Sequence, residues 1–152
     1  MSRAGVLVVT LAAAALLAAA GFAHGWPGRP PGEPPRLKQS GPPPAWIETR
    51  ARSRWLHFSS YCWHKVCVEM PPVQKRGDLR VLTARPGELL RMHLAFRPRK
   101  IHLTIYRRVH FTHYRLLPQQ ILSWRAHGSG VIALDAESSA GSASYLIRLQ
   151  TR

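Results

Sequence analysis

The sequence predicts an all-β fold, a single two-sheet sandwich occupying residues 45–152. Three observations carry that expectation. Apolar and polar residues alternate over short stretches, turn-forming clusters separate those stretches, and no segment shows a convincing helical apolar face.

The chain of 152 residues begins with a different kind of segment. Arg3 precedes an apolar run from Val6 to Ala20, broken only by Thr10, and Gly21-Phe22-Ala23 supplies a small-residue cleavage pattern. This layout is that of a secretory signal peptide over residues 1–23. An uncleaved anchor is the competing reading, since the run approaches the roughly 18 residues that span a bilayer. No cysteine stands near its end to carry a lipid. Residues 24–44, including "GWPGRPPGEPPRLKQSGPPP", are rich in proline and glycine and read as a disordered, polyproline-like linker. What remains is one domain's worth of chain, short enough to gain from a covalent staple.

Within that domain each stretch shows a period of two. In "DLRVLT" Leu79 and Val81 share a face. After the Pro86-Gly87 turn, Leu90, Met92, Leu94 and Phe96 face one way, with Arg91, His93 and Ala95 opposite. "KIHLTIYRR" turns Ile101, Leu103 and Ile105 inward, and "VHFTHY" continues with Val109 and Phe111. "VIALDAE" and "SYLIRLQ" flank the turn cluster Ser138–Ser142. Seven or eight such strands suggest a β-sandwich of immunoglobulin-like type.

The only two cysteines lie in "SSYCWHKVCVEM", residues Ser59–Met70. In an exported protein, one pair and no others favours an intramolecular disulfide between Cys62 and Cys67, closing a tight turn. Four residues intervene, against the two used by redox catalysts. Tyr61 and Trp63 share a strand face, opposite Cys62 and His64. Two arrangements fit that placement: both rings in the core, with Trp63 over the disulfide, or both on the surface as a stacking site for a sugar or anionic polymer.

The "YCW" segment with its second cysteine and "VE", the following Pro-Gly turn, "RPRKIHLTIY" and the terminal "GSASYLIRLQ" together resemble small secreted or lipid-anchored bacterial proteins with one immunoglobulin-like domain. The resemblance covers roughly residues 59–152 and implies an extracytoplasmic sandwich without an assigned activity. This chain departs from the group in lacking a lipobox cysteine and in its high positive charge.

Charge is the strongest functional signal. The chain carries 22 Lys+Arg against 7 Asp+Glu; removal of Arg3 with the leader would leave a net charge of +14 with histidines neutral. An excess of this size attracts polyanions, and the guanidinium fork suits phosphate and carboxylate. The densest positions are Arg50, Arg52 and Arg54, and then Arg97, Arg99, Lys100, Arg107 and Arg108. The expected partner is an anionic cell-envelope polymer or membrane surface. Nucleic acid is the alternative suggested by charge alone, although the export signal directs the chain away from it.

The remaining chemistry is sparse. Eight histidines, His24, His57, His64, His93, His102, His110, His113 and His127, show no tight ligand spacing, and His110 and His113 face opposite sides of a regular strand. A histidine-based metal protein or enzyme is therefore the weakest alternative. The seven carboxylates are scattered, with Asp135 and Glu137 alone sharing a strand face, and no serine sits in a nucleophile elbow. No catalytic residue, metal ligand or cofactor is assigned, and the sequence reads as a secreted, non-enzymatic, envelope-associated binding or structural module.

Overall fold

The computed structural model describes residues 28–37, 40–108 and 110–152. The expected leader, linker residues 24–27, 38 and 39, and Val109 lie outside them. The described chain forms eleven β-strands in two sheets, with one short 3-10 turn at Val73–Lys75. The sandwich is thus the one expected, with more strands than the seven or eight counted. The additional elements include the short β2 (Ser53–Trp55) and β4 (Val66–Val68), which have too few residues to show a period, whereas β5 (Val81–Ala84) overlaps the "DLRVLT" stretch.

The smaller sheet runs β2, β1 (Ala45–Glu48), β6 (Leu89–Leu94), β9 (Ile121–Arg125). The larger runs β4, β3 (His57–Trp63), β11 (Gly141–Thr151), β10 (Gly130–Ser138), β7 (Lys100–Tyr106), β8 (Phe111–Leu116). Strand β5 pairs parallel to the second half of β11, beside β3. Every other pairing is antiparallel.

Alternation places the core between the sheets. Ile47, Leu90, Met92 and Leu122 come from the small sheet, and meet Leu82, Ile101, Leu103, Ile132, Leu134, Tyr145 and Ile147 from the large one. Removing that apolar surface from water is the main favourable term. The Tyr145 hydroxyl donates to the Pro43 carbonyl at 2.7 Å, anchoring the chain just before β1, and burial pushes its phenol well above the ordinary value. On the outer face of the small sheet, His93 stacks on Trp46 with ring centroids 3.7 Å apart. Its Nε2 lies 2.9 Å from Glu48 Oε1, while Glu48 Oε2 accepts the Gly28 N–H at 3.0 Å.

Leu79 and Val81 share a face as expected, and that face is turned away from the main core; the inward assignment of Phe111 is corrected. Val81 is exposed; Leu82 and Ala84 point into the core, while Leu79 enters a separate small cluster with Ala133 and Leu146. Phe111 is 69 % exposed, because its register partner is Tyr106, on the outer face of the large sheet.

The β10–β11 hairpin requires a glycine. Gly141 has φ +144°, and a Cβ there would lie 2.0 Å from the Cys62 carbonyl oxygen, so any side chain would displace β3. Beyond the hairpin, residues 70–80 lie over the outer face of the large sheet. Within the segment Arg76 makes a two-pronged contact to Asp78, Nε to Oδ1 at 2.7 Å and Nη2 to Oδ2 at 2.9 Å, and Arg148 Nη2 of β11 donates to the Arg76 carbonyl at 3.3 Å.

That segment makes stability depend on pH. His57 Nε2 accepts the Arg80 backbone N–H at 3.0 Å, a bond only the ring lacking a proton on Nε2 can make. Burial, then the nearby charge of Arg80, lowers the His57 pKa from 6.5. Its contribution is present above that unfolded value and is lost as pH falls through the lower folded one. The hydrogen bond from Arg76 holds Asp78 at about 2 against 3.8, so a second contribution is present above the latter and disappears as pH falls through the former. We predict that the melting temperature falls on acidification below about pH 6.5, and that His57→Gln lacks part of this fall. Thermal melts across pH check the assignment; parallel profiles for variant and wild type contradict it.

Candidate functional site: an arginine-lined cleft

The cysteine hairpin is the first predicted site to locate. Cys62 and Cys67 form a disulfide between directly paired residues of β3 and β4. His64 and Lys65 make the two-residue turn with φ of 45° and 70°, the pattern of a type I′ hairpin, which glycine or asparagine adopts more readily. The covalent pair, one rung beyond Trp63 and Val66, holds two unfavourable residues in that turn. Both cysteines are exposed, whereas Tyr61 and Trp63 are 7 % and 5 % exposed and face the core, where Trp63 packs edge-on against Phe96. This corrects the reading of Tyr61 and Trp63 as an aromatic surface: strand alternation drives both rings inward. The bridge lies on the opposite face, so Trp63 does not cover it.

The predicted basic residues separate into two groups. Arg50 and Arg52 lie in the turn after β1, not on a strand, so they and Arg54 do not form one strand-face stripe. Thr49 shapes this turn: its buried Oγ1 accepts the Ala51 and Arg52 N–H groups at 3.2 and 3.1 Å. Arg54, on the edge strand β2, donates to the neighbouring Ser53 carbonyl. Arg107 and Arg108 follow β7 at the same end of the sandwich as Arg50, and Arg107 Nη2 donates to the His127 carbonyl at 2.9 Å. Arg97, Arg99 and Lys100 sit at the other end, on the β6–β7 connection and the start of β7.

At the first end lies an open cleft of about 830 Å³. Among the described residues Arg50, Arg52, Arg85, Arg125 and Arg152 line it, with Glu88 as the one acidic side chain. Its floor is a hydrogen-bonded junction of strand ends. The Gly87 N–H donates to the Ala126 carbonyl at 2.7 Å, the Ala126 N–H to the Glu88 carbonyl at 2.9 Å, and Arg125 Nη1 to the Gly87 carbonyl at 3.0 Å. Gly87 sits at φ +78°, the left-handed conformation this turn needs. Glu88 Oε2 accepts the Arg85 N–H at 2.8 Å, so part of its acceptor capacity is already used by the turn. Among the described residues none of the five arginines forms an ion pair. Five guanidinium groups around one carboxylate create a concave positive field suited to phosphate or carboxylate groups.

Sequence reasoning missed Arg85, Arg125 and Arg152. Each is isolated from other arginines in the chain; the signal available was position, since each stands at the end of a strand that finishes on the same side. A second omission is a histidine pair. His102 Nδ1 and His113 Nε2 lie 2.9 Å apart, and His113 Nδ1 is 2.9 Å from Thr104 Oγ1. Finding it required the β7–β8 register, which sets His113 opposite Thr104. Among the described residues no group of three or more His, Cys, Asp or Glu side chains is placed to hold a metal ion, and no helix is long and apolar enough to cross a membrane. Comparison with known proteins gives no match to a protein-family model, a curated protein or a solved structure.

The hairpin yields the test for this region. Replacing both cysteines with alanine releases a loop closed over a sequence separation of 5, and chain entropy sets the loss near 2 kcal/mol. Urea unfolding of the variant checks this value, and a midpoint unchanged from wild type contradicts the stapling role.

Proposed function

We propose that this chain is a non-enzymatic, extracytoplasmic module of the cell envelope that grips anionic polymers in the arginine-lined cleft. The observation that carries the proposal is convergence. Separate segments, Arg50–Arg52, Arg85, Arg125 and Arg152, bring five guanidinium groups to one concavity with a single acidic side chain among the described residues. An open trough of this kind accepts repeating charges along a polymer, and Arg125 is already held in it by the Gly87 carbonyl.

Further features support the setting and the ligand class. The Cys62–Cys67 bridge suits an oxidising compartment, in keeping with the leader read from the sequence. Among the described residues no aromatic side chain lines the cleft, and so none there offers the stacking platform that proteins use for single-stranded nucleic acid. That absence favours a polymer recognised by its charge over one recognised by its bases.

Binding of long-chain polyphosphate, followed by calorimetry at several salt concentrations, tests the proposal. The wild type should bind with an affinity that falls steeply as salt rises. Replacing Arg50, Arg52 and Arg85 together with glutamine should weaken binding at least about tenfold and flatten the salt dependence, since counterion release scales with the contacts made. Arg97→Gln with Arg99→Gln, at the other end, should leave it near wild type. Salt-insensitive binding, or equal loss from both sets, contradicts the cleft; a marked preference for DNA at equal charge would favour the nucleic-acid alternative.

A further inference from the structure

The end of the sandwich opposite the cleft has a different character. Two connections cross there between the sheets, residues 95–99 from β6 to β7 and residues 117–120 from β8 to β9. They run side by side, joined by the Leu94 N–H to Gln120 carbonyl bond at 2.8 Å and by the pairing of Ile101 with Leu116. At the tip Leu117 is 77 % exposed, and Ile121, which opens β9, is 50 % exposed. Arg97 and Arg99 flank this tip from one connection, and Arg115 from the end of β8. A shallow hollow of about 390 Å³ lies among Arg99, Lys100, Arg115, Leu117 and Pro118.

Charge at this end is only partly balanced. Lys100 Nζ lies 3.1 Å from Glu137 Oε2, but among the described residues Arg97, Arg99 and Arg115 form no ion pair. Apolar tip and cationic collar thus occupy the same surface. A polyanion alone would gain nothing from an exposed leucine. A second copy of the chain placed here would bring like charges together. An anionic lipid surface satisfies both parts: the headgroups draw the arginines, and the acyl boundary takes up Leu117. Arginine stems can lie along the interface with their guanidinium groups at headgroup level.

We infer that this end docks on an anionic lipid bilayer, with Leu117 entering the interface and Arg97, Arg99 and Arg115 contacting the headgroups. The inference goes beyond the cleft and does not rest on it. If both hold, the sandwich stands between a lipid surface and an anionic polymer, with one at each end.

The test is co-sedimentation of the secreted form of the chain with vesicles of phosphatidylglycerol and phosphatidylcholine, or of phosphatidylcholine alone. Binding should require phosphatidylglycerol. Leu117→Ser should weaken it about tenfold while leaving polyphosphate binding and the melting temperature unchanged. Arg97→Gln with Arg99→Gln should weaken it and reduce its salt dependence. No binding to the anionic vesicles overturns the inference. So does wild-type vesicle affinity in the Leu117 variant, or a loss produced instead by the Arg50, Arg52 and Arg85 substitutions, which would assign lipid attraction to the cleft. Failure to bind polyphosphate with vesicle binding intact would count against the cleft alone.

Discussion

The large sheet depends on the pairing of β11 with three different neighbours. Along one edge it keeps register with β10 from Gly141 opposite Ser138 to Leu149 opposite Gly130. Along the other it pairs first with β3 and then with β5. A one-residue slip would turn Ala143, Tyr145, Ile147 and Leu149 out of the core and Ser144 and Arg148 into it. Gly141 fixes where the hairpin turns, since the Cys62 carbonyl occupies the space a side chain would need. The disulfide stands on the next strand over, with Cys62 opposite Ser142, and reinforces the same corner.

From that register follows the division of charge between the ends. β11 finishes at Thr151 beside β5, so Arg152 and Arg85 emerge together, with the Arg152 N–H bonded to the Ala84 carbonyl. β9 finishes opposite the start of β6, so Arg125 meets the Gly87 turn. β1 runs antiparallel to β6 and delivers Arg50 and Arg52 to the same place. The cleft is a product of strand direction: arginines remote in sequence become neighbours because their strands end on one side. At the other end the same connectivity brings an apolar tip and a basic connection together. The two surfaces therefore differ in chemistry, although both are basic.

Much of this fold was legible in the sequence because alternation reports directly on which side a strand buries. Leu90, Met92 and Leu94 and then Ile101, Leu103 and Ile105 lie inward as their period requires. Alternation did not reveal which face of β5 is buried, and it failed at Phe111, for separate reasons. β5 is too short to reveal its phase, and Phe111 belongs to an edge strand whose phase is set by pairing with β7. Tyr61 and Trp63 illustrate a subtler limit: period two put them on one face, but only the assembled sheets show that this face is the core. The arginine clusters were visible as local density, and density is not proximity. Arg50 with Arg52 and Arg97 with Arg99 proved to lie at opposite ends, while Arg85, Arg125 and Arg152 joined the first group through topology alone.

The central claim is that the arginine-lined end is the polymer-binding surface. The measurement that addresses it most directly is an amide correlation spectrum recorded during titration with polyphosphate. The account predicts shifts concentrated in residues 49–52 and 83–89 and at Arg125 and Arg152, with residues 95–99 and 117–120 unmoved. Shifts spread evenly over the arginines, or centred on the cysteine hairpin, would contradict it.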